Sequence, residues 1–228
     1  MSRLTTEWQR LFQLSPDDAT LMSPDGLCRV LVIELVGPDA WPACSTIWER
    51  VQTELGWPAP AIAVNGHHGY QLWFSLQQPA PCAHAHAWVN RLAAWAQMRI
   101  APDAVRVFPA SSEPTGQTPE WLQTIPRQQG SSDQWSAFVT RDLAPVFQET
   151  PWLDIPPSPD GQADLLASLQ SVEALAPLAQ APVESPASTT PAHSPLSPRQ
   201  FLLQVMHDPS APLALRIEAA KALLPHSS

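Results

Sequence analysis

Hydrophobic and polar positions alternate along the chain with two different periods. Over residues 1–14, Leu4, Trp8, Leu11 and Phe12 recur three and four apart, which predicts a short amphipathic helix. Turn chemistry follows at Ser15-Pro16-Asp17-Asp18 and Ser23-Pro24-Asp25-Gly26. Residues 28–36 then form a β-branched apolar run closed by Gly37-Pro38, the signature of a buried strand. Glu34 interrupts this run. Residues 43–55 carry Ile47, Trp48, Val51 and Leu55 on one helical face, and Pro58 and Pro60 end the pattern.

Residues 61–64 and 70–76 read as two strands joined by the turn Asn65-Gly66-His67-His68-Gly69, together a hairpin. In the second strand Tyr70, Leu72 and Phe74 alternate with Gln71, Trp73 and Ser75. Residues 83–98 give the strongest helical stripe, with Trp88, Leu92, Trp95 and Ala96. A short strand, Val105–Phe108, stops at Pro109. Residues 110–135 are polar, with Trp121, Leu122 and Ile125 as their apolar anchors, and so long a connection is usually functional or partly disordered. Apolar anchors return at 135–139 and 143–147, and residues 163–175 have a helical pattern.

The rest of the chain reads differently. Residues 176–198 hold six prolines, a composition that cannot bury a core, and read as an extended linker. Residues 199–228 follow with two short apolar stripes split at Asp208-Pro209, a helical hairpin too small to be stable alone. It needs a partner surface, a copy of itself or the main domain. The expected organisation is a 1–175 α+β domain, a 176–198 linker and a C-terminal hairpin.

Composition narrows the function. Hydrophobic residues make up 44%, enough for a core. Charged residues are only 14%, the net charge is −9, and Lys221 is the sole lysine. A broad basic face for duplex DNA or anionic lipid is therefore not expected, although a small arginine cluster is compatible. Three scattered cysteines do not make a disulfide framework. No segment reads as a secretory signal or a membrane span, so the expected setting is the cytoplasm, with no membrane partner.

Candidate chemistry is sparse. Glu34 within an apolar strand either reaches solvent or an arginine, or is part of a metal site. Val36 stands where a second carboxylate on the same strand face would be, and Asp39 lies beyond the Gly-Pro turn. The Asn65–Gly69 turn, with its glycines and exposed amides, suits a phosphate, or is a plain hairpin turn bearing His67 and His68. Cys82, His84 and His86 lack the spacing of a zinc module, and no metal is assigned to them. The tryptophans on helical stripes read as core.

The order of these elements resembles the catalytic core of the archaeo-eukaryotic primase superfamily. It runs as a strand with an acid (VLVIELVG), a helix, a hairpin with a glycine turn (AIAVNGHHGYQLWFSL), a helix (HAWVNRLAAWA) and a strand ending Val-Phe-Pro (AVRVFPAS). WLQTIPR and DQWSAFV follow. The resemblance covers roughly residues 20–175 and is similar to primase-polymerases of mobile and defence elements. It implies a primase-like, RRM-related antiparallel sheet with flanking helices. It also implies degenerate motifs: Val36 where the family has a second acid, Gln71 where it has a phosphate-contacting histidine, Arg106 in place of a third acid, and Ala110 in place of a lysine.

Two-metal nucleotidyl transfer requires a carboxylate cluster. In the resemblance, a Glu34–Arg106 ion pair replaces it, which implies a non-catalytic domain. Three readings follow. In the first, a degenerate primase-like domain of a mobile-element replication or defence system binds single-stranded nucleic acid. His67, His68, Gln71, Arg106 and Arg127 surround its cleft, and it needs no cofactor. The second is a protein-interaction scaffold docking a partner through residues 199–228. The third is an active primase or polymerase using Mg or Mn held by Glu34, Asp39 and Asp103. The C-terminal segment also faintly resembles tails of phage small-terminase-like proteins, a DNA-associated setting.

Overall fold

Ser2 begins the first element by accepting the Thr5 amide on its hydroxyl at 3.1 Å, capping helix α1, Arg3–Phe12. Its stripe of Trp8, Leu11 and Phe12 is buried. In the computed structural model, residues 2–15, 20–97, 99–110, 118–119 and 121–176 are described. All lie in the first of the two units into which the chain divides, Met1–Ala179. The C-terminal hairpin and nearly all of the linker expected from sequence lie outside the described residues.

Six strands form one curled antiparallel sheet: β1 (Leu27–Val36), β2 (Ala61–Val64), β3 (Gly69–Pro81), β4 (Val105–Phe108), β5 (Arg127–Gln128) and β6 (Trp135–Val139). Their order is β4-β1-β3-β2-β6-β5, so β1 sits between β4 and β3, and β2–β3 is the expected hairpin. The apolar run of β1 is explained by this position, since a strand paired on both sides and covered on both faces has little polar environment to meet.

Helices α2 (Ala40–Leu55), α3 (Cys82–Ala93) and α4 (Pro159–Ala167) complete the described regular structure with two 3₁₀ turns, Pro102–Ala104 and Ala144–Phe147. The α2 helix starts at Ala40 rather than at residue 43. Pro42 falls in its first turn, where a missing amide costs nothing. It ends at Gly56, in the left-handed conformation at φ +64°. The stripe expected over 83–98 is α-helical only to Ala93. Trp95 and Ala96 then donate to Leu92 and Ala93, three residues back, so the end tightens into turns.

The helix expected over 163–175 lies earlier, at Pro159–Ala167. Ser158 caps it and Pro159 opens it. Residues beyond it turn instead to β3: Val172 donates to Ser75 and accepts from Gln77, each at 2.8 Å. This bridge occupies the edge of β3 left open where β2 stops at Ala61, opposite Trp73. The hairpin strand also runs on to Pro81, past the residue 76 expected, because Leu27 and Cys28 at the start of β1 pair with Pro81 and Ala80.

The pleat separates two faces. Leu31, Ile33 and Leu35 of β1 with Tyr70, Leu72 and Phe74 of β3 form one core beneath α2 and α3. Val30 and Val32 with Trp73, Phe108 and Phe138 form a second beneath α1, Leu122 and Ile125. At the far end of this second face the apolar cover stops, and Glu34 and Gln71 follow Val32 and Trp73 on the same side.

Candidate functional site

Register places the polar end. Glu34 stands opposite Arg106 of β4 on one side and Gln71 of β3 on the other, and Gln71 stands opposite Ala63 of β2. Directly opposed residues in antiparallel strands share a face. A cleft of about 690 Å³ opens over this row, lined by Glu34, Asn65, His67, His68, Gln71 and Arg106, with Trp121, Gln123, Ile125, Gln129 and Ser136 opposite or beside them.

Glu34 is 3% exposed, so a carboxylate there must be matched. Its Oε1 accepts from Asn65 Nδ2 at 3.0 Å and from Gln71 Nε2 at 2.9 Å. Its Oε2 accepts from Arg106 Nη1 at 3.2 Å. The amide of Gln71 is oriented from behind, because the Trp73 indole N–H, which can only donate, bonds its Oε1 at 3.0 Å. The chain Trp73–Gln71–Glu34 therefore fixes the carboxylate before Arg106 reaches it. The Arg106 side chain lines the cleft and is 53% exposed, so solvent screens its charge.

The ion pair expected between Glu34 and Arg106 is present. The exposed amides expected of the glycine turn are not. Asn65 Oδ1 accepts the amides of His67, His68 and Gly69 at 2.9, 3.1 and 3.0 Å. The Gly66 amide donates to the Pro151 carbonyl at 3.0 Å. All four turn amides are thus occupied and form no phosphate nest; what the turn offers is the two exposed imidazoles. Asn65 in this role, folding the chain back on its own side chain, is ordinary asparagine turn chemistry, and the Asn-Gly pair was the signal for it. The glycine at 69 answers a close approach: a Cβ there would collide with the Leu35 carbonyl.

The remaining expected residues are dispersed. Asp39 is an exposed residue at the start of α2, and Asp103 is exposed in the 3₁₀ turn before β4; neither lines the cleft. Among the described lining residues Glu34 is the sole carboxylate. No group of three His, Cys, Asp or Glu side chains converges among the described residues. Arg127 lines a neighbouring depression, not the cleft itself. His84 and His86 hydrogen-bond the Ala176 and Pro109 carbonyls at 3.1 and 2.9 Å. Burial pushes the Cys28, Cys44 and Cys82 thiols up, so none is a ready thiolate near neutral pH.

Gln123, Gln129 and Ser136 were not singled out by the sequence, whereas Trp121 stood out there as an apolar anchor of a polar segment. Gln129 donates to the Asn65 carbonyl at 3.0 Å and so joins the loop to the turn. Trp121 is partly buried and packs against the core of this face, and the Gln123 amide has no hydrogen bond among the described residues. Their side chains face the cleft from a segment whose buried anchors are Leu122 and Ile125. No family model matches the chain, and no curated protein matches it. Among the described residues no helix is long and apolar enough to cross a membrane.

Proposed function

We propose that this chain is a degenerate primase-like domain that binds single-stranded nucleic acid in a mobile-element replication or defence system. The observation that carries the reading is the row Arg106–Glu34–Gln71 across β4, β1 and β3. In the superfamily that the sequence resembles, acids at such positions serve metal-dependent nucleotidyl transfer. Here the one acid of the row receives three hydrogen bonds, one of them from an arginine. A carboxylate so engaged has little left to give a divalent ion, and Asp39 and Asp103 are not placed to assist it.

What the cleft does offer is cationic and aromatic: the Arg106 guanidinium, the imidazoles of His67 and His68, and the Trp121 ring. That set suits phosphates and unstacked bases. The net charge of −9 opposes broad electrostatic binding, so the affinity must come from this small site.

The test is fluorescence anisotropy of labelled single-stranded DNA across a salt series, with and without manganese. Binding that weakens with salt and ignores manganese is the expected outcome. Manganese-dependent binding would overturn the non-catalytic reading and call for a priming assay. No binding at low salt leaves the interaction scaffold. That alternative has its own observation in Leu143, Val146 and Ile155, which are large apolar side chains 56%, 72% and 70% exposed.

A further inference from the structure

Arg127 lines a depression beside the cleft, yet it shares the cleft's face. Ala63 pairs with Phe138, so Ser136, two residues along β6, lies on the same side, and Arg127 pairs with Ser136. The depression lined by Arg127, about 490 Å³, is also lined by Trp8, whose ring packs on Trp73 and Phe138 of that face. Gln123 lines both the cleft and this depression. Arg106 and Arg127 thus stand on the first and last strands of the sheet, with a polar, amide-rich track between them.

We infer that the track holds a run of several unpaired nucleotides, with backbone phosphates at Arg106 and Arg127 and bases between them against Trp121 and the Gln123 amide. This rests on reading the cleft as a nucleic-acid site. Five inter-strand steps separate the two arginines, about 24 Å along a flat sheet and less along a curled one. A single nucleotide cannot reach both, whereas a site of at least about four nucleotides is ordinary for a domain of this size. Arg127 has no ion pair or side-chain hydrogen bond among the described residues, so its guanidinium is available. Trp121 lines the cleft beside Arg106, partly buried against the core of this face, and the Gln123 amide, shared by both depressions, joins the two ends of the track.

The experiment measures anisotropy of labelled oligo-dT from about two to about twelve nucleotides, for the full chain and for Arg127→Gln. The full chain gains affinity with length until the track is spanned, then levels off. Arg127→Gln loses about tenfold on the long oligonucleotides, the scale of one charge-assisted contact, and nothing on the shortest. Its salt slope on the long oligonucleotides falls by about 0.7, one phosphate fewer on a single strand. Wild-type affinity and slope for Arg127→Gln at every length would overturn the track while leaving the cleft reading standing. Absence of binding at any length would overturn the cleft reading and the track with it. Arg127 is exposed and only its backbone is bonded, to the Ser136 hydroxyl, so the variant folds as the parent does.

Discussion

The two faces of the sheet are made by the same strands, residue by alternate residue, and they solve different problems. Beneath α2 and α3 the face is apolar from end to end, and the one polar tip of its central strands, the Tyr70 hydroxyl, donates to the Ala144 carbonyl at 2.8 Å. The opposite face begins the same way, with Val30, Val32 and Trp73 under α1. It then changes within one pleat repeat to Glu34 and Gln71, which are nearly as buried but held by directed hydrogen bonds. On the first face shape alone decides stability. On the second, stability at the polar end depends on every donor finding its acceptor, which is what allows that end to stay open to solvent as a cleft.

The contrast is broken most strongly from the apolar side. Leu72 is fully buried beneath the helices and has no polar partner. Leu72→Ala is expected to cost about 2–5 kcal/mol in chemical denaturation, because the packed helices cannot close the cavity. A loss below about 1 kcal/mol would mean that this face is not close-packed.

On the polar side the expected effect is smaller and of another kind. Glu34→Ala leaves Asn65 Nδ2 and Gln71 Nε2 without their shared acceptor, and frees Arg106 to solvent. Two orphaned amide donors beside an open cleft cost about 1–3 kcal/mol, since water can reach part of the site. Adding Arg106→Gln to Glu34→Ala should cost little more, because the guanidinium is already half exposed. A double variant markedly less stable than Glu34→Ala would show that Arg106 supports the fold independently of the carboxylate.

The same contrast explains what could be read in advance. The apolar face announced itself: the run of β1, the alternation of β3 and the stripes of α2 and α3 are local patterns, and each names its own element. The Glu34–Arg106 pair was legible only through the order of motifs, since nothing within either strand names its partner. The capture of the turn amides by Asn65 was local, and of the two readings open for this turn, phosphate cradle or plain hairpin, its hydrogen bonds support the hairpin. Trp121 was legible as an apolar anchor, but Gln123 and Gln129 were illegible. They sit in an irregular segment without periodicity, and the tertiary fold alone brings it across the sheet. The late helix was misplaced because Leu165, Leu166 and Leu169 fit a longer stripe, whereas Val172 is claimed by the free edge of β3.

Alkaline pH separates the faces most finely. Cys44 lies in the apolar core, and burial pushes its thiol up against an opposing pull from the Arg141 guanidinium. Cys28 is raised by burial and then by Cys82 beside it, and Tyr70 by burial and then by Cys44. These are acids whose protonated form the fold favours, so the folded pKa lies above the unfolded one. Below the unfolded thiol value of about 8.5 both states are protonated and the contribution is fully present. Above it the unfolded chain releases protons first, and stability falls as pH rises, by about 1 kcal/mol per pH unit for each fully buried thiol. Tyr70 adds to the slope above about pH 10. The melting temperature should therefore be level from pH 7 to about 8.5 and decline beyond it, with a shallower decline in Cys44→Ala. Glu34→Ala removes none of these buried thiols, so it should shift the whole curve down without changing its alkaline slope. A curve whose alkaline slope changed in Glu34→Ala and not in Cys44→Ala would reverse the assignment of the two faces.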